Sequence, residues 1–270
     1  MDALRRAVLE LFNDRVADAR RLHGGDVSEV HMLTLQGGAR MVVKSGPHAR
    51  IEARMLAQLK AQGASVPEVL GLAPNLLFLE ALSEDRPGEG SWRFAADTLR
   101  ELHDAPAPNT LYGWDEDYAF GALAIENTQS ENWVEFWGQH RILAPAKGLP
   151  PGIGPRLARL VEGLGDLLPA TPRPSLLHGD LWAGNIVFGA APQVWLIDPA
   201  CYIGHSEVDL AMLNLFGSPG PEFDKRYGAL EAGWQERRAV YTLWPALVHF
   251  RLFGSNYRGL VERLLSELGV

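Results

Sequence analysis

The chain has a single cysteine, Cys201, among 270 residues. An intramolecular disulfide is therefore excluded, and a reducing compartment is expected. Long apolar runs are missing too. Charges interrupt the opening MDALRRAVLELFNDR, and Pro245 and His249 interrupt the stretch from Tyr241 to Phe250. The sequence thus predicts neither a secretory segment nor a membrane-spanning helix. Basic residues are in the minority, with 25 Lys and Arg against 33 Asp and Glu and a net charge of −8. That balance argues against non-specific nucleic-acid binding, which needs a basic surface, and suits a cationic or neutral polar substrate better. Neither GxxxxGK[ST] nor GxGxxG occurs, so this is not a P-loop enzyme. No Cys/His cluster points to zinc, and there is no internal repeat or low-complexity tract. The expectation is a cytoplasmic protein without a nucleic-acid or membrane partner.

A hydrophobic content of 47% supports one large or two small domains. Leu4, Val8, Leu11, Phe12 and Val16 recur at helical spacing and predict a helix over 2–21. Two β-like runs, 27–35 and 40–44, flank Gln36-Gly37-Gly38-Ala39 and read as a hairpin. Pro47 opens a second helix that stops at Gly63, and strands are expected over 66–70 and 75–79. Ser83–Gly90, rich in Glu, Pro and Gly, marks a boundary between segments 1–82 and 83–270. Beyond it helices are predicted over 91–103, 130–140, 152–168, 206–216, 221–233 and 236–253. This is an α+β, two-lobed plan: a small antiparallel-sheet N-lobe and a larger, mostly helical C-lobe.

The chemistry is concentrated in Leu176–Phe216, LLHGDLWAGNIVFGAAPQVWLIDPACYIGHSEVDLAMLNLF. Asp180 follows His178 by two residues, Asn185 follows Asp180 by five, and Asp198 follows Asn185 by thirteen. Phosphoryl transfer needs such a set: a carboxylate to orient and deprotonate a hydroxyl, then an amide oxygen and a second carboxylate to hold Mg²⁺ against nucleotide phosphates. Asp180 is the candidate base, and Asn185 and Asp198 are the candidate metal ligands. Lys44, ending a strand, and Glu52, one turn into the next helix, match the phosphate-contacting Lys and its carboxylate partner. Ser28, or the N–H groups of Gly25–Glu29, reads equally as a phosphate contact or as an ordinary turn. His178 is expected to support the loop by hydrogen bonds, with Gly179 and Gly184 permitting tight backbone geometry. Glu207 and Asp209 cap a helix after Ser206; Asp209 is expected to brace the catalytic loop, and Glu207 is a candidate substrate contact. Trp182 reads as a sugar platform or as core.

With those residues in hand, LLHGDLWAGN followed by LIDPACYIGHSEVDLAMLNLFG resembles the fructosamine-3-kinase (ketosamine kinase) family, within the aminoglycoside-phosphotransferase-like and protein-kinase-like fold. The likeness extends to Val27–Lys44, Ile51–Leu59, Leu99–Asp104 and Asn127–Gln139, and so over nearly the whole chain. HGD-x-x-x-x-N belongs to the whole superfamily; DPA-x-Y-x-G-H-x-E-x-D is the more specific part. Ala183 departs from the Ser often found there. The resemblance implies ATP- and Mg²⁺-dependent phosphorylation of a sugar hydroxyl on a free or protein-bound ketosamine, with a role in deglycation. It further implies that Glu80-Ala81-Leu82 presents backbone groups to adenine. The runner-up in the same fold is an aminoglycoside or other aminoalcohol phosphotransferase. A different class is a catalytically inactive nucleotide-binding scaffold, against which the retained Lys44, Glu52, Asp180, Asn185 and Asp198 speak. A Ser/Thr protein kinase is disfavoured, because DFG and APE are missing and a helix follows Asp198 almost at once.

Overall fold

Residues 2–22, 29–88 and 90–270 are described by the computed structural model. The chain opens with α1 (Asp2–Phe12), β1 (Val16–Arg21), β2 (Glu29–Leu35), β3 (Arg40–Ser45), α2 (Ala49–Ala61), β4 (Val69–Ala73) and β5 (Leu76–Glu80). The five strands make one antiparallel sheet in the order β1-β2-β3-β5-β4. Strand alternation gives it two apolar faces. Leu33, Leu35, Met41, Val43, Leu76 and Phe78 enclose Leu4, Ala7 and Val8 of α1. Leu77 and Leu79 project to the other side and join Met55, Leu56 and Leu59 of α2 in the core that continues into the rest of the chain. Because Val43 faces α1, its neighbour Lys44 faces α2.

The first helix is shorter than the predicted 2–21. It stops at Phe12, where Asn13 takes φ 50°, a conformation Asn tolerates better than most residues. Asp14 then accepts hydrogen bonds from the N–H groups of Arg15 and Gly37, tying the helix end to the β2–β3 turn. Val16, which fits the helical period, instead begins β1. Residues 23–28, including Ser28, lie outside the described residues.

The second lobe contains α3 (Ser91–Asp104), β6 (Tyr118–Phe120), β7 (Leu123–Ile125) and α4 (Trp133–Phe136). A π-helix over Trp137–Leu143 leads into α5 (Ala144–Ala146), α6 (Ile153–Glu162) and α7 (Leu164–Leu167). Next come β8 (Ser175–Leu177), β9 (Ile186–Phe188), β10 (Val194–Leu196) and β11 (Tyr202–Gly204). The chain closes with α8 (Glu207–Leu213), α9 (Pro221–Tyr227), α10 (Trp234–Phe253) and α11 (Arg258–Glu267). Three antiparallel pairs, β6–β7, β8–β11 and β9–β10, sit among the helices. The helix predicted over 221–233 ends at Tyr227, where Gly228 takes φ 95°. The π-helix turns Arg141 inward, where its guanidinium lies 4.7, 4.3 and 4.9 Å from the ring centres of Phe136, Tyr202 and Trp244. It donates to the Glu126 carbonyl and to Asn127 Oδ1 in place of a carboxylate.

Core polar groups are chained in the same way. Trp133 Nε1–H donates to the Tyr241 hydroxyl at 3.0 Å, which donates to His205 Nδ1 at 2.8 Å. His205 is therefore held neutral, and burial pushes it down to about 4. Unfolding restores a value near 6.5, so the unfolded chain binds the extra proton first. Stability from this residue is intact above about pH 6.5 and is lost as pH falls towards 4. Urea unfolding at pH 7 and pH 4 should show wild type losing about 3 kcal/mol more than His205→Asn, which keeps an acceptor for Tyr241. Parallel losses in the two proteins would contradict this.

Candidate active site

β8 delivers the chain from the core into the loop that holds Asp180. Its backbone is set by Asp209 of α8, whose two carboxylate oxygens accept from the N–H groups of His178 (2.8 Å) and Gly179 (2.9 Å). His103 Nε2 lies 3.1 Å from the same carboxylate, and His103 Nδ1 is 2.8 Å from the Tyr227 hydroxyl. Burial works against a charge on Asp209, but the His103 and Gly179 hydrogen bonds outweigh it and hold the carboxyl below its usual range.

Three hydrogen bonds stitch this loop to the segment carrying Asp198. His178 Nε2–H donates to the Ile197 carbonyl at 2.8 Å. The Ile197 N–H donates to Asn185 O at 3.0 Å, and the Ala200 N–H to His178 O at 2.8 Å. Burial lowers the pKa of His178 and keeps it neutral, as a ring that donates from Nε2 and accepts at Nδ1 requires. Between these anchors Asp198 adopts φ 55°, a left-handed conformation that costs a non-glycine residue on the order of 1 kcal/mol or more. Gly179 has φ 82°, and a Cβ there would lie 2.0 Å from the Ala200 carbonyl oxygen.

Asn185 Nδ2 donates to the Asp180 carbonyl at 2.7 Å and to Asp180 Oδ2 at 3.2 Å, which turns the amide oxygen away from Asp180. Burial, followed by the negative charge of Asp198, pushes Asp180 up to about 7. Lys44 closes the arrangement from the other lobe. Its ammonium donates to Glu52 of α2 and lies 2.9 Å from Asp198 Oδ1. Burial opposes the charge, but the two carboxylates prevail and raise the lysine above its ordinary range. α2 is also held to the segment before β6: Arg54 pairs with Asp115 and Glu116 at 2.6 Å each, and Arg50 with Glu116.

Lys44, Asp180, Trp182, Asn185 and Asp198 line one cleft of about 530 Å³, and Glu52 reaches it through Lys44. Trp182 is exposed, with its ring folded over Gly184 where a Cβ would come within 2.3 Å. His178 and Asp209 lie buried behind the cleft. Glu207 does not line it: the carboxylate is buried and bidentate with Arg237, at 2.8 and 2.6 Å, so its part is internal rather than a contact with substrate. His205, Glu207 and Glu231 approach one another, but Arg237 already pairs with the Glu207 carboxylate and donates to the Glu231 carbonyl there. Glu80 and Leu82 connect β5 towards α3 and do not line the cleft. Asn185 and Asp198 supply hard oxygen donors, the chemistry that a divalent cation such as Mg²⁺ accepts.

The cleft has a further wall that the sequence reading missed. Tyr118 and Phe120 come from a hairpin whose strands are three residues each, too short for a pattern. Burial and then the Glu52 carboxylate raise the Tyr118 phenol, so it stays a hydroxyl donor. Trp244, Val248, His249 and Phe253 come from α10, whose apolar residues run around much of its circumference, so the sequence does not show which side opens onto the cleft.

Comparison with known proteins adds the following. A family model described as fructosamine kinase matches residues 4–269. A Vibrio parahaemolyticus protein assigned as a ketoamine kinase is 34% identical over 279 residues, covering 96% of this chain and 94% of the relative. A Synechocystis protein with the same assignment is 34% identical over 200 residues, 71% of this chain and 66% of its own length. An Arabidopsis thaliana chloroplastic protein-ribulosamine 3-kinase is 33% identical over 178 residues, 63% of this chain and 54% of its own. Among solved structures, one from Thermobifida fusca assigned as fructosamine-3-kinase is 29% identical, with a TM-score of 0.88 and 99% coverage of both chains. A Streptococcus pneumoniae choline kinase, 15% identical with a TM-score of 0.68, covers 99% of this chain and 98% of its own and shares the fold.

The Gly179 geometry is directly testable. Gly179→Ala should abolish measurable turnover and lower the melting temperature by several degrees, because the Ala200 carbonyl leaves no room for a methyl group. Thermal unfolding and a turnover assay check this, and a variant normal in both would disprove the packing account.

Proposed function

The chain belongs to the fructosamine kinase family, and on that premise we propose that it transfers the γ-phosphoryl group of ATP to a sugar hydroxyl of a ketosamine, with Mg²⁺ as the metal. The observation that carries this reading is the convergence of Lys44, Asp180, Asn185 and Asp198 on one cleft between the sheet and the helical lobe. Asp180 would orient the acceptor hydroxyl and take its proton while the oxygen bonds to γ-phosphorus and the bond to the β-phosphate oxygen breaks, releasing ADP. A carboxyl poised near 7 is suited to both accepting and returning a proton around neutral pH. Asn185 and Asp198 would hold the divalent cation, which supplies charge neutralisation between the phosphates. Lys44 stays charged and steers phosphate oxygens, and Glu52 fixes its direction. Glu80–Leu82, which do not line the cleft itself, would offer backbone groups to an adenine that extends past it. Products of this reaction are phosphorylated ketosamines, and deglycation is the physiological role we infer.

Among the described residues no helix is long and apolar enough to cross a membrane, and the lone cysteine is buried. We take the enzyme to be cytoplasmic and to act on small-molecule or protein-bound ketosamines. The inactive-scaffold reading finds no support in a site whose catalytic carboxylate, ligands and lysine are all in register.

Incubation with ATP, Mg²⁺ and a panel of fructosyl-, ribulosyl- and aminoglycoside acceptors should give phosphorylated ketosamines. Turnover confined to aminoglycosides would overturn the assignment. Asp180→Asn and Asp198→Ala should each lower kcat by at least ~10²-fold, as expected when a base or a metal ligand is lost. Near-normal turnover in either would remove that residue from its role.

A further inference from the structure

Resting on the ketosamine reading, we infer that the acceptor end of the cleft is an aromatic subsite for the arm carried on the substrate nitrogen, and that it selects uncharged apolar or aromatic arms. The residues divide the cleft by chemistry. Lys44, Asp180, Asn185 and Asp198 are its phosphoryl-transfer groups, and Asp180 and Asp198 are the only carboxylates among its described lining residues. Lys44, already paired with Glu52 and Asp198, is the only Lys or Arg among them.

Much of the remaining wall is one stripe of α10. Trp244, Val248 and Leu252 recur every four residues, and Pro245, His249 and Phe253 repeat the same spacing one position on. That period keeps a set on one side of a helix. Beyond α10, Tyr257 joins them, and Phe216 approaches from the end of α8. The rings form a continuous surface: Phe216 to His249 is 4.8 Å between centroids, His249 to Tyr257 5.0 Å, His249 to Phe253 5.4 Å and Phe253 to Tyr257 6.1 Å. Phe216 and Phe253 nevertheless remain 47% and 41% exposed. A cluster of large rings left open at the mouth of a cleft is the pattern of a binding surface, since a purely structural cluster would be closed over.

The ligand chemistry follows. A ketosamine bears its sugar on one side of the nitrogen and the former amine's substituent on the other. With the hydroxyl at Asp180, an alkyl or aryl substituent gains ring contacts and loses water-exposed area. Among the described lining residues a second ammonium group would find no spare carboxylate, and a free carboxylate no spare Lys or Arg, so either charge is desolvated without such compensation. A lysine side chain within a peptide qualifies, because its stem is apolar and its ε-nitrogen is the glycated atom. A free zwitterionic amino acid or a polyamine does not.

Steady-state kinetics on the full-length enzyme with ketosamines of methylamine, butylamine, benzylamine, glycine and 1,4-diaminobutane test this. The benzylamine and butylamine adducts should exceed the methylamine adduct in kcat/KM by roughly tenfold, mainly through KM, while the glycine and diaminobutane adducts fall below it. Phe253→Ala and Phe216→Ala, at exposed positions, should each flatten the benzyl-over-methyl ratio. Phe253→Glu should reverse the order so that the diaminobutane adduct overtakes the benzylamine adduct. A flat series with the methylamine adduct still phosphorylated would overturn the subsite and leave the ketosamine reading standing. Phosphorylation of none of the adducts would overturn both.

Discussion

A buried ammonium group organises this molecule. Lys44 sits on the face of β3 that turns away from α1, and an unpaired charge there would be expensive to bury. It is tolerated because Glu52 and Asp198 both reach it. One partner belongs to the helix behind the sheet, the other to the strand end 154 residues further along. The sheet, α2 and the segment carrying Asp198 are thereby held in one arrangement by a single charge. Removing Lys44 would leave the Glu52 and Asp198 carboxylates facing each other without a cation, with Glu52 buried. The Arg50 and Arg54 pairs with Asp115 and Glu116 hold the same helix from outside, but as partly exposed contacts they contribute far less.

The other side of the cleft is ordered by a buried anion. Asp209 gathers the His178 and Gly179 N–H groups and His103, and His178 passes the constraint on to Ile197. The backbone around Asp180 and Asp198 is thus set in large part by His103, His178 and Asp209, which do not line the cleft. The left-handed backbone of Asp198 makes sense in this setting: it is a conformation the chain would abandon if the bonds at Ile197 and Ala200 did not flank it. The two carboxylates that face the cleft are, in effect, positioned by a third that does not.

What could be read from sequence was whatever is local. Asp180, Asn185 and Asp198 stand at spacings that a short strand–loop–strand unit fixes, and Lys44 and Glu52 are separated by one turn and part of a helix. Pairings across long separations left no such trace: nothing in the sequence couples Asp209 to His103, or Glu207 to Arg237, and Glu207 was accordingly read as a substrate contact. Val16 shows a different failure. It obeys the helical period, but the helix has already ended at Asn13, where backbone handedness rather than hydrophobic spacing decides. Helix α11, with Val261, Leu264 and Leu265 buried at helical spacing, was legible and overlooked. The β6–β7 hairpin was not legible, since three-residue strands carry no period.

Helix α10 has two contrasting surroundings. Val240, Tyr241, Leu243 and Leu247 are packed in the interior, while Trp244, Val248, His249 and Phe253 look into the cleft. A wall backed by close-packed interior cannot bend to suit a new guest, because interiors resist compression much as organic crystals do. Changes of appetite in this lineage should therefore arise from swapping the tips of individual rings along a rigid rail, leaving the rail itself where the fold put it.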